Sequence, residues 1–253
     1  SRVEIAAQGD EMPRIAGNIA TGGANMPRVS GRMERSESGG SIFRLAMDRY
    51  EAGDAALSVP QVVIAQGAGG ALGDIGTHAL NLALFVSGAS VESLAADLDS
   101  FVEGRQLDDN AHVMLRFKEK NGVRPKGMLW ASQVAPGNEN GLRLRIYGEK
   151  GGLEWEQEQP NHLWFTPFCE PKRLITRGGV GAGAAAGRVT RVPAGHPEGY
   201  LEAFATIYSE AAGLIRGGAA PLLPTVDDGV EGLRFIEACI ASSVKDGQWV
   251  SWG

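Results

Sequence analysis

From about residue 61 the apolar and polar positions fall into two periods. Leu72, Ile75, Ala79, Leu82 and Val86 recur at helical spacing and predict a helix of about four turns. A period of two follows. Ala111, Val113, Leu115 and Phe117 alternate with His112, Met114, Arg116 and Lys118, which predicts a half-buried strand. Val91–Leu98, Met128–Val134, Leu142–Tyr147, Leu153–Trp155 and His162–Thr166 read as further strands. Gly and Asn cluster between them at Asn121-Gly122, Gly137–Gly141 and Gly148–Gly152, as short hairpin connections require. Two helices then follow, one through Tyr200, Leu201, Phe204, Ile207, Tyr208, Ala211 and Ile215, the other from Val226 to Val244 with a stop at Asp246-Gly247. Gln248–Trp252 closes as a strand.

Helix, successive strands, two helices and a strand describe an α+β domain with an open, mostly antiparallel sheet and helices on one face. Residues 67–253 form this unit. Residues 1–66 are an unassigned, glycine-rich segment in which Arg2–Gln8 reads as a strand and Ile42–Tyr50 as a short helix. Glycine is the compositional outlier, with 36 residues in 253. The Gly178–Gly187 tract reads as a loop.

A net charge of -6 argues against a nucleic-acid surface. No apolar run approaches the length of a membrane span, and no apolar stretch follows Ser1-Arg2-Val3-Glu4 as a signal peptide would need. Cys169 and Cys239 are far apart, no cluster has metal-ligand spacing, and a reduced cytoplasmic protein is the expectation. Asp108-Asp109 reads as a solvated turn, and His112 and His162 as lone surface histidines.

Two stretches carry candidate chemistry. Val62–Leu72 imitates a strand, a Gly-x-Gly turn and a helix, with Asp97 or Asp99 placed to read a ribose. Leu72 stands at the third glycine position, however, and the downstream pattern lacks βαβ repetition, so a glycine-rich approach to a helix is the better reading. Asp74 and His78, four apart, share one helical face beside the apolar stripe. A carboxylate beside an imidazole suits a general base, but by spacing alone a dipole-stabilised acid and a structural histidine are the commoner explanation.

Gly69-Gly70-Ala71-Leu72-Gly73-Asp74-Ile75-Gly76-Thr77-His78 resembles the Gly-Gly-x-x-x-Asp-x-Gly-x-His segment of the glucose–fructose oxidoreductase, inositol dehydrogenase and rhizopine catabolism (Gfo/Idh/MocA) family. Asn138–Leu153, Gly195–Phe204, Pro224–Gly229 and Ser242–Val250 resemble later segments of the same family, in order. The match covers about residues 67–253, the family's C-terminal domain.

The resemblance implies the substrate-binding and oligomerisation domain of an NAD- or NADP-dependent sugar or polyol dehydrogenase. His78 would take a proton from a substrate hydroxyl with Asp74 as its partner, while hydride goes to the nicotinamide. His196, Tyr200 and Trp130 are candidate substrate contacts, although a tryptophan such as Trp130 is better suited to a subunit interface and a tyrosine on an apolar stripe such as Tyr200 is more often core. The open sheet face would bind a second copy of the chain. The cofactor-binding residues are not identified, because the Rossmann unit and the family's Glu-Lys-Pro segment are not found here. Glu149-Lys150-Gly151 falls in a turn, and Asn81 stands where many members carry an aspartate. The resemblance therefore leaves open a non-catalytic binding or oligomerisation module derived from that family.

Overall fold

The computed structural model describes residues 2–8, 70–120 and 122–253. Nine strands form one sheet: β1 (Arg2–Gln8), β2 (Val91–Asp99), β3 (Asn110–Phe117), β4 (Lys126–Ser132), β5 (Arg143–Gly148), β6 (Gly151–Glu156), β7 (His162–Pro167), β8 (Arg173–Thr176) and β9 (Val250–Ser251). Their order across the sheet is β8-β7-β6-β5-β1-β4-β3-β2-β9. Every pairing between these strands is antiparallel except that of β1 with β4. The strand expected at Arg2–Gln8 thus lies in the middle of the sheet, between β4 and β5. The helix expected at Ile42–Tyr50 and residues 62–69 of the Val62–Leu72 stretch lie outside the described residues.

The alternating pattern has a direct cause. Ala111, Val113, Leu115 and Phe117 of β3 and Leu129 and Ala131 of β4 are buried, while His112, Met114, Arg116 and Met128 are exposed. The buried face takes the helices. A π turn (Leu72–Gly76) runs directly into helix α1 (Thr77–Ser87), and together they cross β1, β3, β4 and β5. Helix α4 (Val226–Ser243) packs on β2 and against α1 through Phe235, Ile236 and Cys239, all essentially inaccessible. Burying a side chain of the size of Phe235 contributes about 1.5–3 kcal/mol. Ser242 is also fully buried; its hydroxyl accepts from Ala96 N–H (2.8 Å) and donates to Gln248 O (2.7 Å), tying α4 to β2 and to the approach to β9.

Helix α3 (Tyr200–Ile215) behaves differently. It buries no residue, and Leu201, Ile207, Tyr208 and Ile215 stay exposed. It is held at its start, where Glu198 pairs with Arg177 (2.9 Å) and Arg191 (3.2 Å) and Gly199 N–H donates to Glu202 Oε2 (2.8 Å). The glycine/alanine tract holds one short helix, α2 (Ala184–Arg188), where a loop was expected, because alanine favours the helix once glycine pauses. No described helix is long and apolar enough to cross a membrane.

Candidate functional site

The residues Gly73 to Thr77 shape the start of α1. Thr77 N–H reaches back five residues to Leu72 O, and the Thr77 hydroxyl donates to the Gly73 carbonyl this skips, at 2.9 Å. That substitution satisfies the widened turn, a geometry that recurs at functional sites. Gly76 lies under it: a Cβ there would stand 3.2 Å from Leu72 Cδ1 and 3.6 Å from the Phe235 ring. Small residues therefore let the turn sit down on β4 and α4.

Asp74, on this turn, is buried, and His78, one turn on, reaches the surface. The two interact electrostatically. Burial raises the Asp74 carboxyl above its ordinary range, with His78 and a hydrogen bond from Gln133 pulling it back. Burial lowers the His78 imidazole, and the Asp74 charge partly restores it. A buried acid beside an imidazole that reaches the surface is an arrangement able to accept a proton and hold the charge that results.

Behind Asp74 runs a polar chain that the sequence did not disclose. Gln133, just past β4, donates from Nε2 to Asp74 Oδ2 (3.3 Å) and accepts on Oε1 from Arg105 Nη1 (3.3 Å). Arg105 stands 3.6 Å from Asp109 Oδ2. Asp109 corrects the expectation of a solvated turn: it is fully buried, and its two oxygens accept Phe101 N–H and Val102 N–H, each at 2.9 Å. An acid is tolerated there because backbone donors and a guanidinium satisfy it.

Asp108 caps the π turn. Its carbonyl accepts Ala71 N–H (2.8 Å) and its Oδ2 accepts Leu72 N–H (2.7 Å). Burial pushes its carboxyl up to about 6, and its charge in turn raises the buried Cys239 thiol further. An unfolded aspartate titrates near 3.8, so the folded chain holds this proton more tightly. Stability from this group is full below about pH 4 and is lost as pH rises through about 6. Asp108→Asn is expected to flatten that decline, read as urea midpoints across this range; an unchanged slope would contradict it.

The cap also bears on the nucleotide reading of Val62–Leu72. The first N–H groups of the helix, which would receive a pyrophosphate, are already taken: Ala71 N–H by the Asp108 backbone carbonyl and Leu72 N–H by its carboxyl. Residues 62–69 lie outside the described residues; at Ala71 and Leu72 the donors are occupied by Asp108, and the described residues contain no βαβ repeat.

The other candidates lie elsewhere. Trp130 is on the opposite face of the sheet from Asp74, stacked on His112 at 6.4 Å and donating from Nε1 to Asn110 Oδ1 at 2.9 Å. His112 is exposed as expected, but it is not alone. His196 is exposed in the turn before α3, its carbonyl bonded by Arg177. Tyr200, whose place on an apolar stripe favoured a core, is instead 43% exposed and packs edge-on against Phe204 at 4.9 Å. The described contacts join neither His196 nor Tyr200 to His78. No group of metal-ligating side chains occurs among the described residues.

Comparison with known proteins agrees with this architecture. Residues 32–154 match the GFO/IDH/MocA C-terminal domain. The uncharacterized oxidoreductase YfiI of Bacillus subtilis is 33% identical over 191 residues, 72% of this chain and 48% of that protein. A crystal structure of an oxidoreductase from Sinorhizobium meliloti is 48% identical with a TM-score of 0.74, covering 98% of this chain and 56% of its own. An inositol dehydrogenase homolog from Azotobacter vinelandii, complexed with NAD+, is 27% identical with a TM-score of 0.70, covering 99% of this chain and 57% of its own. The chain belongs to the Gfo/Idh/MocA family of oxidoreductases and carries that family's C-terminal domain. It spans about half the length of these relatives.

Proposed function

We propose that these residues form the substrate-binding half of a nicotinamide-dependent dehydrogenase acting on a sugar or polyol. The observation that carries the reading is the Asp74–His78 pair, buried at the acid and open at the imidazole. His78 in its neutral form takes the proton from a substrate hydroxyl, and Asp74 stabilises the imidazolium that results. Proton loss from the hydroxyl favours departure of hydride from the same carbon, and the hydride acceptor belongs to a domain other than this one. The NAD+ complex of the inositol dehydrogenase homolog supports a nicotinamide, and that relative's name supports a polyhydroxylated substrate. His196 and Tyr200, both exposed, are the candidates for holding substrate hydroxyls.

The open sheet face is the proposed contact with a second copy. Met114, Met128 and Trp164 are exposed there, and Asp97, His112 and Trp130 align across three neighbouring strands. A monomer by sedimentation at working concentration would speak against that contact.

The activity is tested in a protein that joins these residues to a nucleotide-binding domain. Cyclic polyols and aldoses, assayed with NAD and with NADP, are expected to give substrate-dependent reduced nicotinamide. Absence of turnover with every member of such a panel, with intact nucleotide binding, would favour a non-catalytic module.

A further inference from the structure

The chain Arg105–Gln133–Asp74 has only one consistent hydrogen-bond polarity. The Arg105 guanidinium can only donate, so the group of Gln133 that faces it must be the carbonyl oxygen, 3.3 Å from Nη1. The amide nitrogen is then committed to Asp74 Oδ2, also at 3.3 Å. A side-chain amide that could ordinarily turn over is fixed by a neighbour that cannot accept. Asp74 must therefore present an acceptor to Gln133, and an ionised carboxylate is the form that best does so. Arg105 is fixed in its turn by Asp109, which is fully buried and anchored on two backbone N–H groups.

We infer that Gln133, oriented by Arg105, is a positioning residue that holds Asp74 as an ionised acceptor beside His78. The inference rests on the reading of His78 as the base only for its consequence in catalysis; the hydrogen-bond relay itself stands on this chain. The relay opposes burial, which alone drives Asp74 towards its neutral form and would deprive His78 of its counter-charge. Several charged or titratable groups surround the pair. His78 lies on the same helix, Arg105, Asp108 and Asp109 come from the β2–β3 connection, and Cys239 comes from α4 near Asp108. The one cation among those from outside the helix, Arg105, acts on the amide of Gln133 and so fixes which end of it faces Asp74.

Two substitutions of similar volume separate this role from space filling. Gln133→Leu keeps the bulk and removes the donor. Gln133→Glu keeps the partner of Arg105 and sets a second carboxylate against Asp74. The Asp74 titration, followed by carboxyl carbon NMR on the purified chain, is expected to rise by about one unit in Gln133→Leu and further in Gln133→Glu. Arg105→Met is expected to raise it less, because the amide is then free to turn. An Asp74 titration unmoved in both Gln133 variants, with the native amide spectrum retained, overturns the inference.

In the protein joined to a nucleotide-binding domain, the acid limb of kcat/KM is expected to move to lower pH with Gln133→Leu, because a less ionised Asp74 raises the His78 imidazole less. If the Asp74 titration moves while the kinetic profile does not, the relay stands and the reading of Asp74 and His78 as the catalytic pair fails.

Discussion

Replacing His78 with alanine, with a nucleotide-binding domain present, is expected to lower kcat/KM by about 10²–10⁴-fold, the usual contribution of a positioned general base. Folding should hardly change. His78 reaches the surface, and its described interaction is the electrostatic one with Asp74, so the loss of stability should stay within about 1 kcal/mol. The pH profile adds a second check. Burial lowers the imidazole below its ordinary value of 6.5, with Asp74 opposing the shift, so the neutral base persists to lower pH than in a free histidine. The acid limb of the wild-type profile should therefore fall below pH 6.5 and disappear in His78→Ala. Asp74→Asn should retain more activity than His78→Ala, because it removes the counter-charge and leaves the base. A His78→Ala protein with wild-type kcat/KM would end the assignment.

Much of this fold was legible because one face of each central strand is buried and the other is not. The period of two in β3 follows from that asymmetry, and it located the strand to within a residue. The helix stripe Leu72, Ile75 and Ala79 was legible for the same reason, since its residues meet the sheet. β8 was not found: Arg173–Thr176 is short and lies at the sheet edge, where Arg173 and Leu174 are exposed and no alternation is imposed. Nor could the sequence pair β1 with β4, because strand pairing across more than a hundred residues leaves no local mark.

The site divides along the same line. Asp74 and His78 are four residues apart on one turn, so spacing could place them together. Gln133 lies 59 residues from Asp74, and a single amide after a strand has no period that would reveal it. Asp109 was misread for a related reason. An acid in a polar turn beside a second aspartate is usually solvated, and only the fold brings Phe101 and Val102 backbone donors and Arg105 around it. One signal was available and unused: Gly73 and Thr77, four apart, are the pair that closes the π turn.

The same turn makes Gly70→Ala the largest expected change in stability. A Cβ at this position would lie 2.0 Å from Asp108 O and 2.4 Å from Asp108 Oδ1, far inside contact distance. One of the two segments must move, and both are tied. Asp108 accepts Ala71 N–H and Leu72 N–H, and Gly70 O accepts Asp74 N–H at 2.9 Å. Displacement strains the chain and unpairs the first donors of the helix, for a combined cost of about 3–4 kcal/mol in urea unfolding. Because Asp74 sits on the displaced turn, kcat/KM should fall with it.

If this glycine instead served a pyrophosphate, Gly70→Ala would spare folding and abolish nucleotide binding by the isolated chain. Truncating Asp108 sharpens the comparison. Gly70→Ala combined with Asp108→Ala removes the clash with the carboxyl but not the closer one with the backbone carbonyl, so little stability should return. Substantial recovery in that double variant would show that the Asp108 side chain, rather than the close approach of two backbones, is what requires glycine.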